Sequence, residues 1–397
     1  RDLLLLPGAA DAVRKLYEEH YSLHRLRELA ANVRGGPHPD RYRQVRLLFS
    51  MLREGYAPLG LPGLGSFLFS SGATPDLDDA EIANHDLLDA VRALAFTVEN
   101  SVRRPVDYRN LDSEELGSVY ESLLELHPQM NLDAATFKLN TAAGSERKTT
   151  GSYYTPTPLV NELLNSALEP VVADRLEKAR RQARQRSGGE TGSLQAALEQ
   201  AILSIKVLDY ATGSGHMLIG AARRLARHLA SIRSGDEEPS PDAIRHALRD
   251  VVRYCIYGVD INDTAVELCK VALWMESLEP GKPLSFLDKN IQCGNSLIGV
   301  SPGLDIEEIP DDAFRPKTGD DRATATALRR RNKREREGQL GMRFDVTIIE
   351  TPEDLARWRA RQVQQVAAIA EDDVAQLAVK EQAYARYLQT DEYRRGR

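Results

Sequence analysis

The stretch VLDYATGSGHMLIG, residues 207–220, decides the fold. A short apolar run ends in Asp209, two glycines follow at Gly213 and Gly215, and a helical pattern then resumes. This order is typical of a strand, a tight turn and a helix whose first amides face a bound nucleotide. Glycine at both positions would keep a Cβ atom out of the ligand's space. A tight strand-to-helix turn without any ligand explains the same residues equally well.

Short apolar runs alternate with helical patterns along the residues that follow. The second run, IYGVD, ends in Asp260, and a third lies within NIQCGNSLIG, residues 290–299. Helical periodicity separates the three runs. Strands that alternate with helices predict an α/β fold with a parallel, doubly wound sheet.

The acidic strand ends indicate which kind of nucleotide fits. At the end of the second strand, an acidic residue such as Asp260 typically accepts hydrogen bonds from ribose hydroxyls. Asp260 follows the glycines by far more than the ~20 residues of a dinucleotide fold. Leu218 replaces the third glycine, and no Gly-Lys-Ser/Thr follows, which counts against dinucleotide and P-loop sites. The alternative role of Asp260 is the N-cap of the next helix, although Asn262 and Asp263 can provide that cap instead.

The composition limits the classes of protein. Hydrophobic residues make up 42% of the 397 residues and charged residues 28%, which is ordinary for a globular protein. The net charge of −7 argues against electrostatic attraction of the chain as a whole to nucleic acid, although local basic patches can still bind phosphates. No apolar run reaches the ~20 residues of a membrane span, so no membrane partner is predicted. The three cysteines form no CxxC pair, which favours the cytoplasm.

The chain divides into three regions by composition. Residues 1–145 are predicted to form a mainly helical N-terminal domain, in which LDSEELGSVYESLLE, 111–125, has the clearest helical periodicity. Residues 146–302 hold the alternating strands and helices, preceded by a helix that Pro170 is expected to end. Residues 303–397 are rich in charge and are predicted to be helical.

Other side chains are weaker candidates for chemistry. His20 and His24 are spaced like two zinc ligands on a helix, but HExxH is missing and no third ligand is placed. A solvated pair is therefore favoured, and no metal site is predicted. The basic runs at 178–187 and 329–336 can contact phosphates, although a solvated helix face is the usual outcome. His216 either approaches a ligand or packs at the start of its helix.

Four segments occur in the order of a known set of motifs, namely GSYYTP (151–156), DYATGSGHM (209–217), GVDIND (258–263) and CGNSLIG (293–299). They resemble motifs X, I, II and III of the gamma-class adenine-N6 DNA methyltransferases. Within that class, the chain is most similar to the large one-chain enzymes of type IIG restriction-modification and of phage-defence systems of the DISARM or BREX kind. The resemblance covers about residues 60–300 and includes the helical segment before the core.

The resemblance implies a Rossmann-like methyltransferase core that binds S-adenosyl-methionine. In such a core, Asp209 would face the ammonium group and Asp260 the ribose hydroxyls. Ile261 would pack on the adenine, and Asn295 would hydrogen-bond the adenine edge. The implied cofactor-binding residues are Tyr154, Thr155, Pro156, Asp209, Ala211, Gly213, Gly215, Asp260, Ile261 and Asn295.

This sequence departs from the family's pattern in two ways. Tyr210 and Thr212 stand where motif I usually carries Pro and Cys, and the bulk of Tyr210 is expected to weaken cofactor binding. The Asn/Asp-Pro-Pro-aromatic motif that holds the flipped adenine is also missing, because the chain contains no Pro-Pro pair. Residues 303–397 resemble the helical insertion that often precedes this motif. We therefore expect an N-terminal portion of a longer methyltransferase, with an incomplete sheet, no catalytic residue and no activity alone.

The resemblance implies that the full-length protein methylates the N6 amino group of adenine at specific sites in double-stranded DNA. The implied setting is restriction-modification or phage defence in the bacterial cytoplasm, with other subunits of a defence system as further partners. Catalysis would come from positioning the amino nitrogen in line with the methyl group. One alternative is a non-catalytic DNA-recognition or scaffold subunit with a degenerate methyltransferase fold. Another, a small-molecule or protein methyltransferase, is weakened by the helical region before the core.

Overall fold

The computed structural model describes residues 4–108, 115, 117, 119, 126–131, 134, 136–141, 155–187, 191–297, 310–316, 321–336, 352–390 and 393. It divides into two compact units. The first comprises Arg1–Leu297 with Ile369–Ala383, and the second comprises Ile298–Ala368 with Tyr384–Arg397. These bounds differ from those of the three predicted regions, whose division at residues 145 and 302 stays a prediction.

Among the described residues before Phe96, the first unit has five α-helices, and each longer helix has at least one buried residue. They are α1 (Asp11–His20), α2 (Leu23–Asn32), α3 (Asp40–Glu54), α4 (Pro75–Asp78) and α5 (Asn84–Ala95). Apolar side chains such as Tyr17, Leu48 and Leu88 are buried on the faces that pack together. The hydroxyl of Ser22 accepts a hydrogen bond from the N–H of Arg25 and caps α2.

Two antiparallel hairpins follow α5, in a region whose sequence predicts mainly helix. Their strands are β1 (Phe96–Glu99), β2 (Val102–Pro105), β3 (Leu126–Asn131) and β4 (Thr136–Thr141). Between β1 and β2, Asn100 and Ser101 both have positive φ, as a two-residue type I′ turn requires. The predicted helix at 111–125 lies largely outside the described residues, although positions 115, 117 and 119 are helical.

The remainder of the first unit alternates helices and strands. Its elements are α6 (Thr157–Leu163), α7 (Glu169–Ser187), α8 (Thr191–Leu203), β5 (Val207–Asp209), α9 (His216–Ser234), α10 (Pro241–Cys255), β6 (Ile256–Asp260), α11 (Asp263–Ser277) and β7 (Ile291–Cys293). The prediction that Pro170 ends the first of these helices is wrong. A π-helical turn at Leu164–Leu168 joins α6 to α7, and Pro170 is the second residue of α7. The altered hydrogen-bond pattern of such a turn accommodates a residue without an N–H.

The three strands form a parallel sheet in the order β5-β6-β7. Asp209 is paired in register with Gly258, and Asp260 is paired with Cys293. One face of the sheet is buried at Ile256, Gly258 and Ile291. On the other face, Leu208 is 60% exposed, so the described residues do not cover it. The structure is thus mainly helical with small sheets, and a doubly wound sheet stays a prediction.

The core of the first unit forms where α9 meets its neighbours. The helix buries Leu218, Leu225 and Leu229 together with the alanines at 221, 222, 226 and 230. Each fully buried leucine contributes ~1.5–3 kcal/mol of hydrophobic free energy. This stripe at helical spacing fixes α9 and therefore fixes the turn that precedes it.

Residues 369–383 pack into the first unit through a buried charge cluster. Glu371 and Lys380 are 1% and 0% exposed, and Lys380 Nζ lies 2.9 Å from Glu371 Oε2. From α10, Arg253 Nε lies 3.3 Å from Glu371 Oε1, and Arg249 donates a hydrogen bond of 3.1 Å to the carbonyl oxygen of Glu371. Two cations, Lys380 and Arg253, therefore lie against the carboxylate, and Arg249 holds the main chain of the same residue. We call these four residues the Glu371 cluster.

The second unit consists of charged helices. They are α12 (Arg322–Arg336), α13 (Pro352–Ala368) and the last turns of α14 (Val374–Gln389), with a 3-10 turn at Asp311–Phe314. Asn332 of α12 donates a hydrogen bond of 3.2 Å to Asp311, and the rings of Trp358 and Tyr387 lie 5.9 Å apart. Across the described ranges of both units, no helix is long and apolar enough to span a bilayer.

Candidate functional site

The turn between β5 and α9 carries the first predicted site residue. Asp209 ends β5, and its Oδ1 accepts a hydrogen bond of 3.0 Å from the N–H of Ala211. The turn then passes through Gly213 and Gly215, whose φ angles are 51° and 87°. Both values lie in the left-handed region that glycine adopts without strain. The helix α9 begins directly after Gly215.

Asp260 at the end of β6 holds this turn in place. Its Oδ2 accepts a hydrogen bond of 2.8 Å from the N–H of Gly213, and its Oδ1 accepts one of 2.9 Å from the N–H of Asn262. A carboxylate oxygen has room for more than one hydrogen bond, so Asp260 can still accept from hydroxyl groups. The structure therefore brings the two predicted carboxylates, Asp209 and Asp260, to one edge of the sheet.

The alternative role of Asp260, as a helix cap, is wrong. Asn262 caps α11, because its Oδ1 accepts hydrogen bonds of 2.9 Å and 3.2 Å from the N–H groups of Thr264 and Ala265. The carboxylate of Asp260 is instead directed to the preceding turn. Its position is thus explained by the strand-end geometry and not by the needs of α11.

The two glycines of the turn are required for different reasons. A Cβ atom added at Gly215 would lie 2.7 Å from the sulfur of Cys269, so this position is glycine because of close packing. A Cβ atom added at Gly213 would have none of the described residues within 4 Å. The space in front of Gly213 is therefore open, and a ligand can approach the backbone there.

The electrostatics of this edge favour a cation. Burial and, to a smaller extent, the nearby charge of Asp260 raise the pKa of Asp209, while the N–H of Ala211 lowers it. A positively charged group beside Asp209 would stabilise the carboxylate and lower this pKa. The edge thus suits a ligand with a cationic group and hydroxyls better than a phosphate.

Residues after β7 join the same edge. The N–H of Gly294 donates to the carbonyl oxygen of Asp260 at 2.8 Å, and the hydroxyl of Ser296 donates to the carbonyl oxygen of Tyr210 at 2.7 Å. Asn295 lies between them with an exposed side chain whose Oδ1 accepts from the N–H of Leu297. Sequence analysis missed Ser296, although it follows Asn295 directly within CGNSLIG.

The other predicted cofactor-binding residues that the structure describes lie in the turn, beside Asp260 and before α6. Ala211 is exposed within the turn, and Ile261 is 61% exposed beside Asp260. Thr155 is half-buried and Pro156 is exposed, and both come directly before α6. Tyr154 lies outside the described residues.

The start of α6 lies next to the start of α9. The hydroxyl oxygen of Thr157 is 3.5 Å from Nε2 of His216, the residue that follows the glycines. The segment before the core also reaches the turn, because a Cβ atom added at Gly117 would lie 2.7 Å from Oγ of Ser214. Sequence analysis did not identify Gly117 or Ser214 as site residues.

Tyr210 and Thr212 have separate explanations. Thr212 is buried, its N–H donates to the carbonyl oxygen of Val259, and its methyl group packs on Gly258. It therefore belongs to the packing beneath the turn. Tyr210 is 65% exposed and contributes its carbonyl oxygen to Ser296.

The two histidines and the first basic run make ordinary surface contacts. His24 pairs with Glu28 one turn later, whereas His20 contacts Arg25. Among the residues that the structure describes, no group of three or more potential ligands is placed to hold a metal ion. In α7, Lys178 pairs with Asp174.

Comparison with known proteins relates the chain to restriction-modification proteins. No protein-family model matches it. The sequence is 27% identical to a putative type II restriction enzyme and methyltransferase of Methanocaldococcus jannaschii. The alignment is 268 residues long and covers 60% of this chain. The match covers 21% of that protein, so the chain spans about a fifth of its length. Among solved structures, the type IIL restriction-modification enzyme MmeI in complex with DNA is similar with a TM-score of 0.43 and 16% identity, over 74% of this chain and 37% of that one.

Proposed function

We propose that this chain is the cofactor-binding part of an S-adenosyl-methionine-dependent DNA adenine-N6 methyltransferase of the restriction-modification class. The observation that carries the proposal is the meeting of Asp209, Asp260 and the open backbone at Gly213 at one sheet edge. The sequence similarity to a restriction enzyme and methyltransferase supports the same class. The methyltransferase core, with a doubly wound sheet, would occupy residues 146–302.

The residues of this edge fit the chemistry of S-adenosyl-methionine. The cofactor carries an ammonium and a sulfonium group, and the half-buried carboxylate of Asp209 would be stabilised by such charges. Asp260 has carboxylate oxygens for the ribose hydroxyls. The exposed apolar side chain of Ile261 offers a surface for the adenine, and the exposed amide of Asn295 offers hydrogen bonds for its edge.

The role of this chain in methylation is to bind and orient. When bound, the cofactor supplies an electrophilic methyl group. Asp260 would fix the ribose while it ties down the turn at Gly213, and Asp209 would fix the amino-acid end. The proposal assigns no catalytic residue to this chain, because its sequence contains no Pro-Pro pair. The adenine-N6 specificity and the double-stranded DNA substrate rest on the motif order and on the similarity to restriction-modification proteins.

Isothermal titration of the chain with S-adenosyl-methionine tests the proposal. Wild type should bind, and Asp260→Ala should lower the affinity at least ~10-fold, because charge-assisted hydrogen bonds to the ribose contribute ~1.5–3 kcal/mol each. Asp263→Ala is the matched control, since Asp263 is an exposed carboxylate at the start of α11, three residues after Asp260. No heat with wild type, or undiminished binding by Asp260→Ala, would show that the proposed cofactor site is wrong.

A non-catalytic DNA-recognition or scaffold subunit is the second candidate. It is favoured by the exposed ring of Tyr210, which stands at the turn where these methyltransferases usually have Pro. If the chain binds duplex DNA but gives no heat with S-adenosyl-methionine, this candidate replaces the first. Recovery of cofactor binding in Tyr210→Pro would identify Tyr210 as the cause of the loss.

A further inference from the structure

The helix α12 concentrates positive charge that the proposed cofactor site does not use. Its 15 residues include seven Arg and Lys and a single Glu, in a chain whose net charge is −7. The exposed cations among the described side chains are Arg322, Arg329, Arg330, Arg331, Lys333 and Arg334. Leu328, the only large apolar residue of α12, is itself 45% exposed. Burial of an apolar face therefore does not explain the composition of this helix.

Five of the six exposed cations of α12 lie along one side of the helix, and Arg331 lies outside it. With ~100° of rotation per residue, Arg322, Arg329 and Lys333 share a face, and Arg330 and Arg334 flank it within an arc of roughly 140°. The first and last of these residues are separated by about 18 Å along the helix axis. A strand of duplex DNA presents about five phosphates over that length, at ~3.4 Å for each. Four of the five cations fall within residues 329–334, about 7.5 Å of the axis, a length that matches about three successive phosphates.

The first basic run, on α7, shows what a balanced surface helix looks like. Lys178 Nζ lies 2.7 Å from Asp174 Oδ2, and Arg181 Nε lies 2.9 Å from Glu177 Oε1. Both cations follow their carboxylates by four residues, which is the stabilising order on a helix. The sequence of α7 therefore neutralises part of its own charge within the helix.

The sequence of α12 places no carboxylate four residues before the cations Arg329, Arg330, Lys333 and Arg334. The residues four positions before Arg329 and Arg330 are alanine and threonine. Lys333 and Arg334 then follow Arg329 and Arg330 by four residues, so like charges stand one turn apart. Such pairs destabilise a helix in isolation. A polyanion bound along this side would remove the repulsion.

We infer that α12 docks on the phosphate backbone of double-stranded DNA without reading the base sequence. The polyanion follows from α12 itself, and the choice of duplex DNA rests on the proposed function. The contact would supply a sequence-independent, salt-sensitive part of the affinity for DNA.

Fluorescence anisotropy of the full chain with a labelled duplex of about 30 base pairs tests this inference, from about 50 to about 200 mM salt. The test variant is Arg329→Gln/Arg330→Gln/Arg334→Gln, because glutamine keeps the helix propensity. The matched control is Arg180→Gln/Arg181→Gln/Arg184→Gln in α7, which removes the same charge. Loss of three phosphate contacts should lower the slope of log affinity against log salt by about 2.7 and the affinity at least ~10-fold. The α7 control should bind like wild type.

Three results would overturn the inference. They are equal loss of binding in both triple variants, no loss in the α12 variant, and tighter binding of single-stranded RNA or anionic vesicles than of duplex DNA. Titration of each protein with S-adenosyl-methionine separates this test from the previous one. Loss of duplex binding in a variant that still binds the cofactor supports the inference. Failure of wild type to bind the cofactor, with the α12 effect intact, contradicts only the proposed function.

Discussion

Two groups of carboxylates in the first unit are held in contrasting ways. The carboxylate of Glu371 is buried against Lys380 and Arg253, so the protein's own cations neutralise it. Asp209 and Asp260 accept hydrogen bonds from main-chain N–H groups in the part of the chain that the structure describes. Amides orient a carboxylate but leave its charge uncompensated. The first arrangement compensates a buried charge within the fold, whereas the second leaves charge available for the ligand that we propose.

The Glu371 cluster should give the largest change in stability. Glu371→Ala leaves Lys380 buried without its carboxylate, and breaking a buried pair in this way costs ~3–5 kcal/mol of unfolding free energy. Urea unfolding monitored by circular dichroism measures the loss. The matched control is Asp174→Ala, which breaks the exposed pair with Lys178 and should cost no more than about 0.5 kcal/mol.

A double-mutant cycle sharpens this prediction. Lys380→Met combined with Glu371→Leu removes both members of the pair and should cost less than the sum of the two single changes. The double variant should stay less stable than wild type, because Arg253 loses its carboxylate partner. If both single variants unfold like wild type, the cluster does not anchor residues 369–383. Burial lowers the pKa of nearby Lys289 to about 8. A further uncompensated charge in this region would therefore be disfavoured.

Substitutions of the two glycines of the turn should give the next largest effects. Gly215→Ala should reduce stability more, and Gly213→Ala should reduce ligand binding more. Gly215→Ala combines a left-handed φ with the approach to Cys269 and should cost about 2–4 kcal/mol. Gly213→Ala meets open space and should cost about 1 kcal/mol. Among folded molecules, Gly213→Ala should weaken S-adenosyl-methionine binding more, because its new methyl group enters the ligand's space. Equal effects of the two substitutions on both quantities would contradict this division of roles.

Substitution of Asp209 should give the smallest change in stability. The change should be a gain, whereas substitution of Glu371 should cause a loss. Burial and the charge of Asp260 raise the pKa of Asp209 above its ordinary value. Between the unfolded and the folded pKa, the folded state binds more protons, so the stability contribution of Asp209 falls as the pH rises through that window. Asp209→Asn should therefore be slightly more stable than wild type at neutral pH, and the difference should disappear in acid below that window.

Unfolding curves of Asp209→Asn and wild type across pH measure this effect, with Asp263→Asn as the control. The same variant should bind S-adenosyl-methionine more weakly, since it loses the charge that we propose to face the ammonium group. A variant that is less stable than wild type at neutral pH would show that Asp209 serves the fold rather than a ligand.

The sequence predicts the sheet edge well and its surroundings poorly. Asp209, Asp260 and the glycines are recognisable because strand ends and turns are encoded by adjacent residues. The Glu371 cluster is not predictable, because it joins residues of α10 to Glu371, more than one hundred positions away. The local sequence of each segment indicates only a solvated helix. The hairpin at Asn100 and Ser101 was missed because neither residue is the glycine that usually marks such a turn. The continuation through Pro170 depends on a π-helical turn that has no simple sequence signal.

The packing of Cys269 beneath Gly215 gives the turn a built-in chemical reporter. Burial raises the pKa of both Cys269 and Cys255 to about 12, so neither thiol should react readily while the fold is closed. Cys293 is exposed and should be modified at once. After Cys293 is replaced by serine, the rate at which a thiol reagent modifies Cys269 measures how often the turn opens. A ligand that binds across the turn would slow that rate without any need for a spectroscopic label.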